Sequence, residues 1–263
     1  MPRPSRLLIV NADDFGFNRD VNAGILEAHR SGVLTSTTLM ANGDAFEEAV
    51  CLARDAKTLS VGCHLVLIQG RSLVSGEALP RNWKELLRAL ISRRIDPYSE
   101  LRAQVERMIA AGLHPSHFDT HKHTHVLPAV LSAVIRLAND FNVPFIRLPF
   151  DADWLPVRFV DRKYRRHLEA AHLRCTDHFL GFRLTDTLTE DTLLRAFSSL
   201  PTGTTEFMCH PGYWGEELER AETRLRQSRQ RELEALTAPA VRALLERENI
   251  VLTNYRALAE GRS

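Results

Sequence analysis

Residues 6–16 read Arg6-Leu-Leu-Ile-Val-Asn-Ala-Asp-Asp-Phe-Gly16, with four consecutive apolar side chains running into a polar, acidic end. A run that short cannot make a helix with a buried face and reads as a buried strand, Arg6 to Asn11, of the kind found in parallel sheets. Arg19 to Ser31 follows with Val21, Ile25 and Ala28 at helical spacing, and Gly32 stands past its end as a stop signal. The first thirty residues are therefore a strand followed by a helix.

The unit recurs. Strands are expected at Val33–Met40, Leu59–Ile68, Ser116–Thr120, Pro144–Leu148, Thr176–Gly181, Thr204–Cys209 and Ile250–Thr253. Helices are expected at Asp44–Lys57 with Asp44 as its cap, Trp83–Arg93, Tyr98–Ala111, Leu127–Phe141, Arg162–Leu173 and Asp191–Leu200. A charged helix is expected from about Glu216, and a short one at the end. Gln69–Arg81 reads as a loop that either stays fixed or closes as a lid. About seven βα units with no linker between them predict an α/β fold, a single irregular (β/α) TIM-like barrel over residues 1–263.

Composition narrows the function classes. Hydrophobic residues at 44% and charged residues at 25% exclude disorder, collagen and a membrane bundle. Lys and Arg number 34 against 33 Asp and Glu, so nothing favours a nucleic-acid partner. Cys51, Cys63, Cys175 and Cys209 contain no C-x-x-C pair and no disulfide framework. No apolar run reaches the about 7–15 residues of a signal-peptide core or the about 20 of a membrane span. A reduced, cytoplasmic protein is expected, with peripheral attachment to the inner membrane face left open.

Chemistry collects at the strand ends. Asp13 and Asp14 follow the first strand, His64 interrupts the third, and a tract from His117 to His125 spans the end of the fourth. Arg147 ends the fifth, and His210 follows the strand ending at Cys209. In a (β/α) barrel these ends meet at one mouth. An Asp with two or three His around an open position is a catalytic divalent-metal set. Each element has a plainer reading: Asp13-Asp14 as a helix cap, His64 as a hydrogen-bonded core histidine. His121, His123 and His125 alternate, and on a strand they would face one way.

These residues resemble a family. Asn11-Ala-Asp-Asp-Phe-Gly16, Leu34-Thr-Ser-Thr-Thr38, Gly62-Cys-His-Leu65, Phe118-Asp-Thr-His-Lys-His123 and Cys209-His-Pro-Gly212 are similar, in order, to the motifs of the YdjC-like carbohydrate deacetylases. That family includes the chitooligosaccharide deacetylases and has a barrel related to the polysaccharide deacetylases. The resemblance implies one divalent ion, zinc or magnesium, on Asp14, His64 and His121. It implies Asp13 as catalytic base, His210 as the imidazolium that protonates the leaving amine, and Arg147 as the partner orienting the base. His123 and His125 would contact substrate or support the ligands. Cys63 stands where Leu or Met is common in the family, and Leu67 to Lys84, which shapes the cleft there, is short.

His64-Leu-Val-Leu-Ile-Gln-Gly70 and Asp119-Thr-His-Lys-His123 resemble most the subgroup associated with hopanoid biosynthesis. The implied substrate is an N-acetylglucosaminyl hopanoid lipid, a glycolipid, with soluble chitooligosaccharides as the alternative N-acetylated amino sugar. Arg88, Arg93 and Arg94, or Arg158–Arg166 with Trp154, Leu155 and Phe159, could meet a membrane surface; solvated helices are the plainer reading, as for Arg220–Arg231. A two-metal phosphoesterase and a non-catalytic sugar-binding protein are the competing functions. Oligomeric state is not set by the sequence.

Overall fold

The computed structural model describes residues 6–151 and 155–261. Its frame is a parallel sheet of β1 (Arg6–Phe15), β2 (Ser36–Leu39), β3 (Ser60–Leu65), β4 (Phe118–Thr120), β5 (His178–Leu180), β6 (Gly203–Cys209) and β7 (Ile250–Leu252). The order is β4-β3-β2-β1-β6-β5, with β7 also on β1. β6 lines β1 from Arg6 to Ala12. β7 joins β1 at Arg6–Leu8 and β2 joins it at Asn11–Phe15, one toward each end of the strand.

β1 is longer than the apolar run implies because its polar half is paired. The β1–β2 register shifts between Ala12 and Phe15. Asp13 and Asp14 lie in that irregularity, and Asp14 has a φ of 69°. A bulge of this sort re-aims the side chains it carries.

The expected fifth strand, Pro144–Leu148, is not one. Its residues make only isolated parallel bridges, Phe118 with Ile146 and Phe145 with Arg174. β4 is three residues long and turns at once into a 3-10 segment, His121–Val126. Arg174 lies ahead of β5, so no continuous ladder joins β4 to β5. The paired strands curl into a half-barrel, without the uninterrupted ladder of a full TIM barrel.

The helices are α1 (Arg19–Arg30), α2 (Phe46–Asp55), α3 (Trp83–Ile91), α4 (Pro97–Ala110), α5 (Pro128–Asp140), α6 (Leu155–Ala170), α7 (Glu190–Ser198), α8 (Glu216–Arg220), α9 (Gln227–Thr237), α10 (Pro239–Arg247) and α11 (Tyr255–Ala259). Asn18, Asn82 and Asp96 cap α1, α3 and α4 through side-chain acceptors. Asp44 does not cap α2: Ala45 stands at that position and no side chain accepts there. The charged helix from Glu216 is three helices, and Pro239 starts the last because its fixed φ suits a first turn. The core runs from Val10, Phe15 and Leu65 in the sheet to Ile25, Leu101 and Leu236 on the covering helices.

Candidate metal centre and active-site cleft

Three carriers converge at the C-terminal edge of the sheet: the β1 bulge, the end of β3 and the 3-10 turn after β4. His64 Nε2 lies 3.4 Å from Asp14 Oδ1. His121 Nδ1 is 3.2 Å from the same oxygen and 3.3 Å from His64 Nε2. Asp14 Oδ1 is buried and has no hydrogen-bond partner. One orphaned carboxylate oxygen and two imidazole nitrogens at this spacing fit a divalent ion. The structure brings Asp14, His64 and His121 together.

The surrounding residues fix these three. His64 and Asp119 are register partners across β3 and β4, and His64 Nδ1 meets Asp119 Oδ1 at 2.7 Å. Thr38 Oγ1 donates to the other Asp119 oxygen at 3.0 Å. This is the carboxylate–histidine arrangement that orients a ligating imidazole. Burial opposes the charge on His64, but Asp119 and Asp13 overcome it and carry the imidazole up to about 10. A divalent ion held by His64 Nε2 would have to take the place of a proton there. Arg229 Nη2 holds Asp14 Oδ2. Burial opposes the Asp14 charge, and Arg229 with the two imidazoles keeps the carboxyl well below its ordinary range.

Asp13 sits beside the ligands on a different anchor. Arg147 donates to it in a fork, Nη1 to Oδ2 at 2.7 Å and Nη2 to Oδ1 at 2.6 Å. The fully buried guanidinium also meets Asp119 at 2.7 Å and Glu206 at 2.8 Å. Tyr255 on α11 donates to Glu206 Oε2 at 2.6 Å. Against burial, Arg147 holds the Asp13 carboxyl well below the carboxylate range. A second metal on Asp13, His64 and Asp119 does not fit, because Arg147 already supplies the cation there.

His210 follows β6, and its backbone N–H donates to Glu232 on α9. Two glycines allow this loop to lie on α1: a Cβ at Gly24 would stand 2.4 Å from the Gly212 Cα. Burial pushes the His210 imidazole down to about 4 although Asp13 and Asp14 pull upward. Its Nδ1 is buried and unpartnered.

The histidine tract is not a strand, so its alternation does not give one face. Lys122 and His123 have φ of 55° and 53° and turn the chain sharply. His121 joins Asp14 and His64 in the candidate set. His123 lines the cleft, its ring 5.2 Å from Phe182. His125 is buried against the Thr120 hydroxyl at 2.6 Å and the Arg147 carbonyl at 3.3 Å, away from the cleft lining. His117 is buried and stacks on Tyr255 at 3.8 Å.

The cleft over these groups encloses about 730 Å³, and its lining includes Trp83, Lys122, Phe150, Phe182, Met208 and Arg224. Of the loop Gln69–Arg81, Gln69 alone lines it. The loop is tied down by buried Glu100, which accepts from Ser72 Oγ at 2.5 Å and Leu73 N at 3.0 Å. Sequence reasoning missed Arg229, Glu206, Glu232 and Trp83 as site residues. Arg229 was expected on a solvated face; it is 2% exposed. Nothing local distinguishes it from its neighbours on α9.

Residues 7–247 match the family model described as YdjC-like protein. The chain is 38% identical over 260 residues to a carbohydrate deacetylase of Brevibacillus brevis, covering 95% of this chain and 99% of that one. It is 39% identical to a carbohydrate deacetylase of Geobacillus stearothermophilus, covering 95% and 97%. A crystal structure of an Enterococcus faecalis protein named for cellobiose-phosphate cleavage superposes with a TM-score of 0.80 at 27% identity, covering 97% of this chain and 99% of that chain. A match over most of the length, with relatives above 30% identity across nearly all of both chains, makes this chain a member of the YdjC-like protein family.

Proposed function

We propose that this chain is a metal-dependent carbohydrate N-deacetylase that hydrolyses the acetamide of an N-acetylated amino sugar. The observation that carries the reading is the triad of Asp14, His64 and His121 donors, 3.2–3.4 Å apart, beside the separately anchored carboxylate of Asp13. The deacetylase names of the relatives in Brevibacillus brevis and Geobacillus stearothermophilus support the same chemistry. A divalent ion on those donors would supply Lewis-acid polarisation of the amide carbonyl and a lowered pKa for water.

The chain's own residues do the rest. Arg147 keeps Asp13 ionised and stops it from swinging onto the ligand set, so Asp13 is free to accept the proton of an attacking water. The proton that Asp13 takes from water passes to His210, whose imidazole faces it across the cleft, and from there to the nitrogen of the departing amine as the C–N bond breaks. His123 and the ring of Phe182 line the cleft where sugar would lie. His125 acts one step back, holding the Arg147 backbone.

Zinc is the better fit of the two candidate ions. Two imidazole nitrogens and one carboxylate oxygen are the donor types that suit zinc, whereas magnesium is held by oxygen donors and water.

The preferred substrate is an N-acetylglucosaminyl lipid of the hopanoid type. Trp83, Phe150, Phe182 and Met208 in the cleft give an apolar aglycone something to meet. The test compares kcat/KM on a glucosaminyl hopanoid precursor and on N,N′-diacetylchitobiose, with the metal content of the enzyme measured alongside. Preference for the lipid is expected. Preference for the soluble disaccharide overturns the lipid assignment, and no acetate from either overturns the deacetylase.

A further inference from the structure

We propose that the outward face of α3 is a docking surface for an anionic lipid bilayer. Leu86 and Ala89 fill the core, while Trp83, Leu87 and Ile91 recur every four residues on the outside, 38%, 50% and 76% exposed. A helix that hides one apolar side and displays another has two interfaces to satisfy, and among the described residues only the inner one is covered.

The charge beside this stripe selects the occupant. Residues 81–94 contain Arg81, Lys84, Arg88, Arg93 and Arg94 against a single carboxylate, Glu85, in a chain that is otherwise almost balanced. Glu85 is engaged at the start of the helix, accepting from Arg81 N at 2.9 Å. Among the described residues none of those five cations has an ion pair or a side-chain hydrogen bond, whereas Arg102, Arg107, Arg136 and Arg165 are all paired with carboxylates. Arg94 shares a depression with Glu77 and Asp96, so Lys84, Arg88 and Arg93 carry most of the bias.

Apolar side chains bordered by unspent cations match the headgroup region of an anionic leaflet, where the rings and methyls enter the acyl boundary and the guanidinium groups meet phosphates. A second copy of this face would set cations against cations. Trp83 belongs to both the stripe and the cleft lining, so a chain docked this way would open its cleft at the bilayer surface.

The test is co-sedimentation of the full chain with phosphatidylcholine vesicles, with and without phosphatidylglycerol, at low and high salt. Binding is expected to be at least about tenfold stronger with the anionic lipid and to weaken with salt. Leu87→Glu with Ile91→Glu, and separately Arg88→Gln with Arg93→Gln, should each weaken it by about tenfold or more with unchanged circular dichroism. No binding to anionic vesicles overturns the proposal. So does binding by both variants that is undiminished from the parent's, or a dimer of the parent chain that the Leu87→Glu, Ile91→Glu variant dissociates. Binding is read without substrate, so its failure is separate from failure of the deacetylase reading.

Discussion

Arg229 Nη2 donates to Asp14 Oδ2, which leaves Oδ1 of the same carboxylate unpartnered and facing the nitrogens of His64 and His121. The arginine thus decides which oxygen of Asp14 is free to bind an ion, and it neutralises a carboxylate that would be costly to bury alone.

Replacing that guanidinium, Arg229→Met, should therefore weaken divalent-ion affinity by about 10–100-fold, the usual effect of losing a group that orients a ligand. Titration against a competing chelator reads this directly. Undiminished affinity would remove Asp14 Oδ1 from the ligand set.

The two adjacent aspartates should separate cleanly. Asp13 is held by Arg147 and Asn11, and Asp14 by Arg229. Asp13→Asn is expected to lower turnover by about 10²–10⁴-fold at unchanged metal content. If metal content falls with it, the roles assigned to the two carboxylates are exchanged.

The buried guanidinium of Arg147 compensates the buried carboxylates of Asp13, Asp119 and Glu206. Arg147→Met leaves that negative charge buried and should cost at least about 3–5 kcal/mol in urea unfolding. Tyr255→Phe removes only the donor to Glu206 and should cost about 1–3 kcal/mol. A loss below 1 kcal/mol for Arg147→Met would contradict the ion cluster as drawn.

Glu232 gives a pH signature. Burial pushes its carboxyl up from an ordinary 4.5 to about 7, against the His210 N–H and Arg229, which favour the charged form. Between those values the native chain keeps a proton that the unfolded chain has lost. Stability from this group is therefore present below about 4.5 and lost as pH rises toward about 7. Glu232→Gln has no such loss, so it should gain on the parent by about 3 kcal/mol across that window. Parallel stability–pH curves for the two proteins would refute it.

The alternation of strands and helices, and the positions of Asp13, Asp14, His64 and His121 at strand ends, were legible in the sequence. Short apolar runs ending in polar residues are local patterns, and parallel strands put their C-termini on one edge. The same logic failed at Pro144–Leu148 and along the histidine tract. There the outcome turns on backbone: positive φ at Lys122 and His123 ends β4 after three residues and sends His121, His123 and His125 three ways.

What only the tertiary structure decided is which buried charges meet. Asp13 and Arg147 are 134 residues apart, and Asp14 and Arg229 are 215 apart. The candidate metal set was readable in the sequence because its residue types are few and sit at strand ends. An arginine on a charged helix looks the same whether it faces water or a carboxylate. Burial of a charge is a property of the pair, and the pair exists only once the sheet has brought its two carriers together.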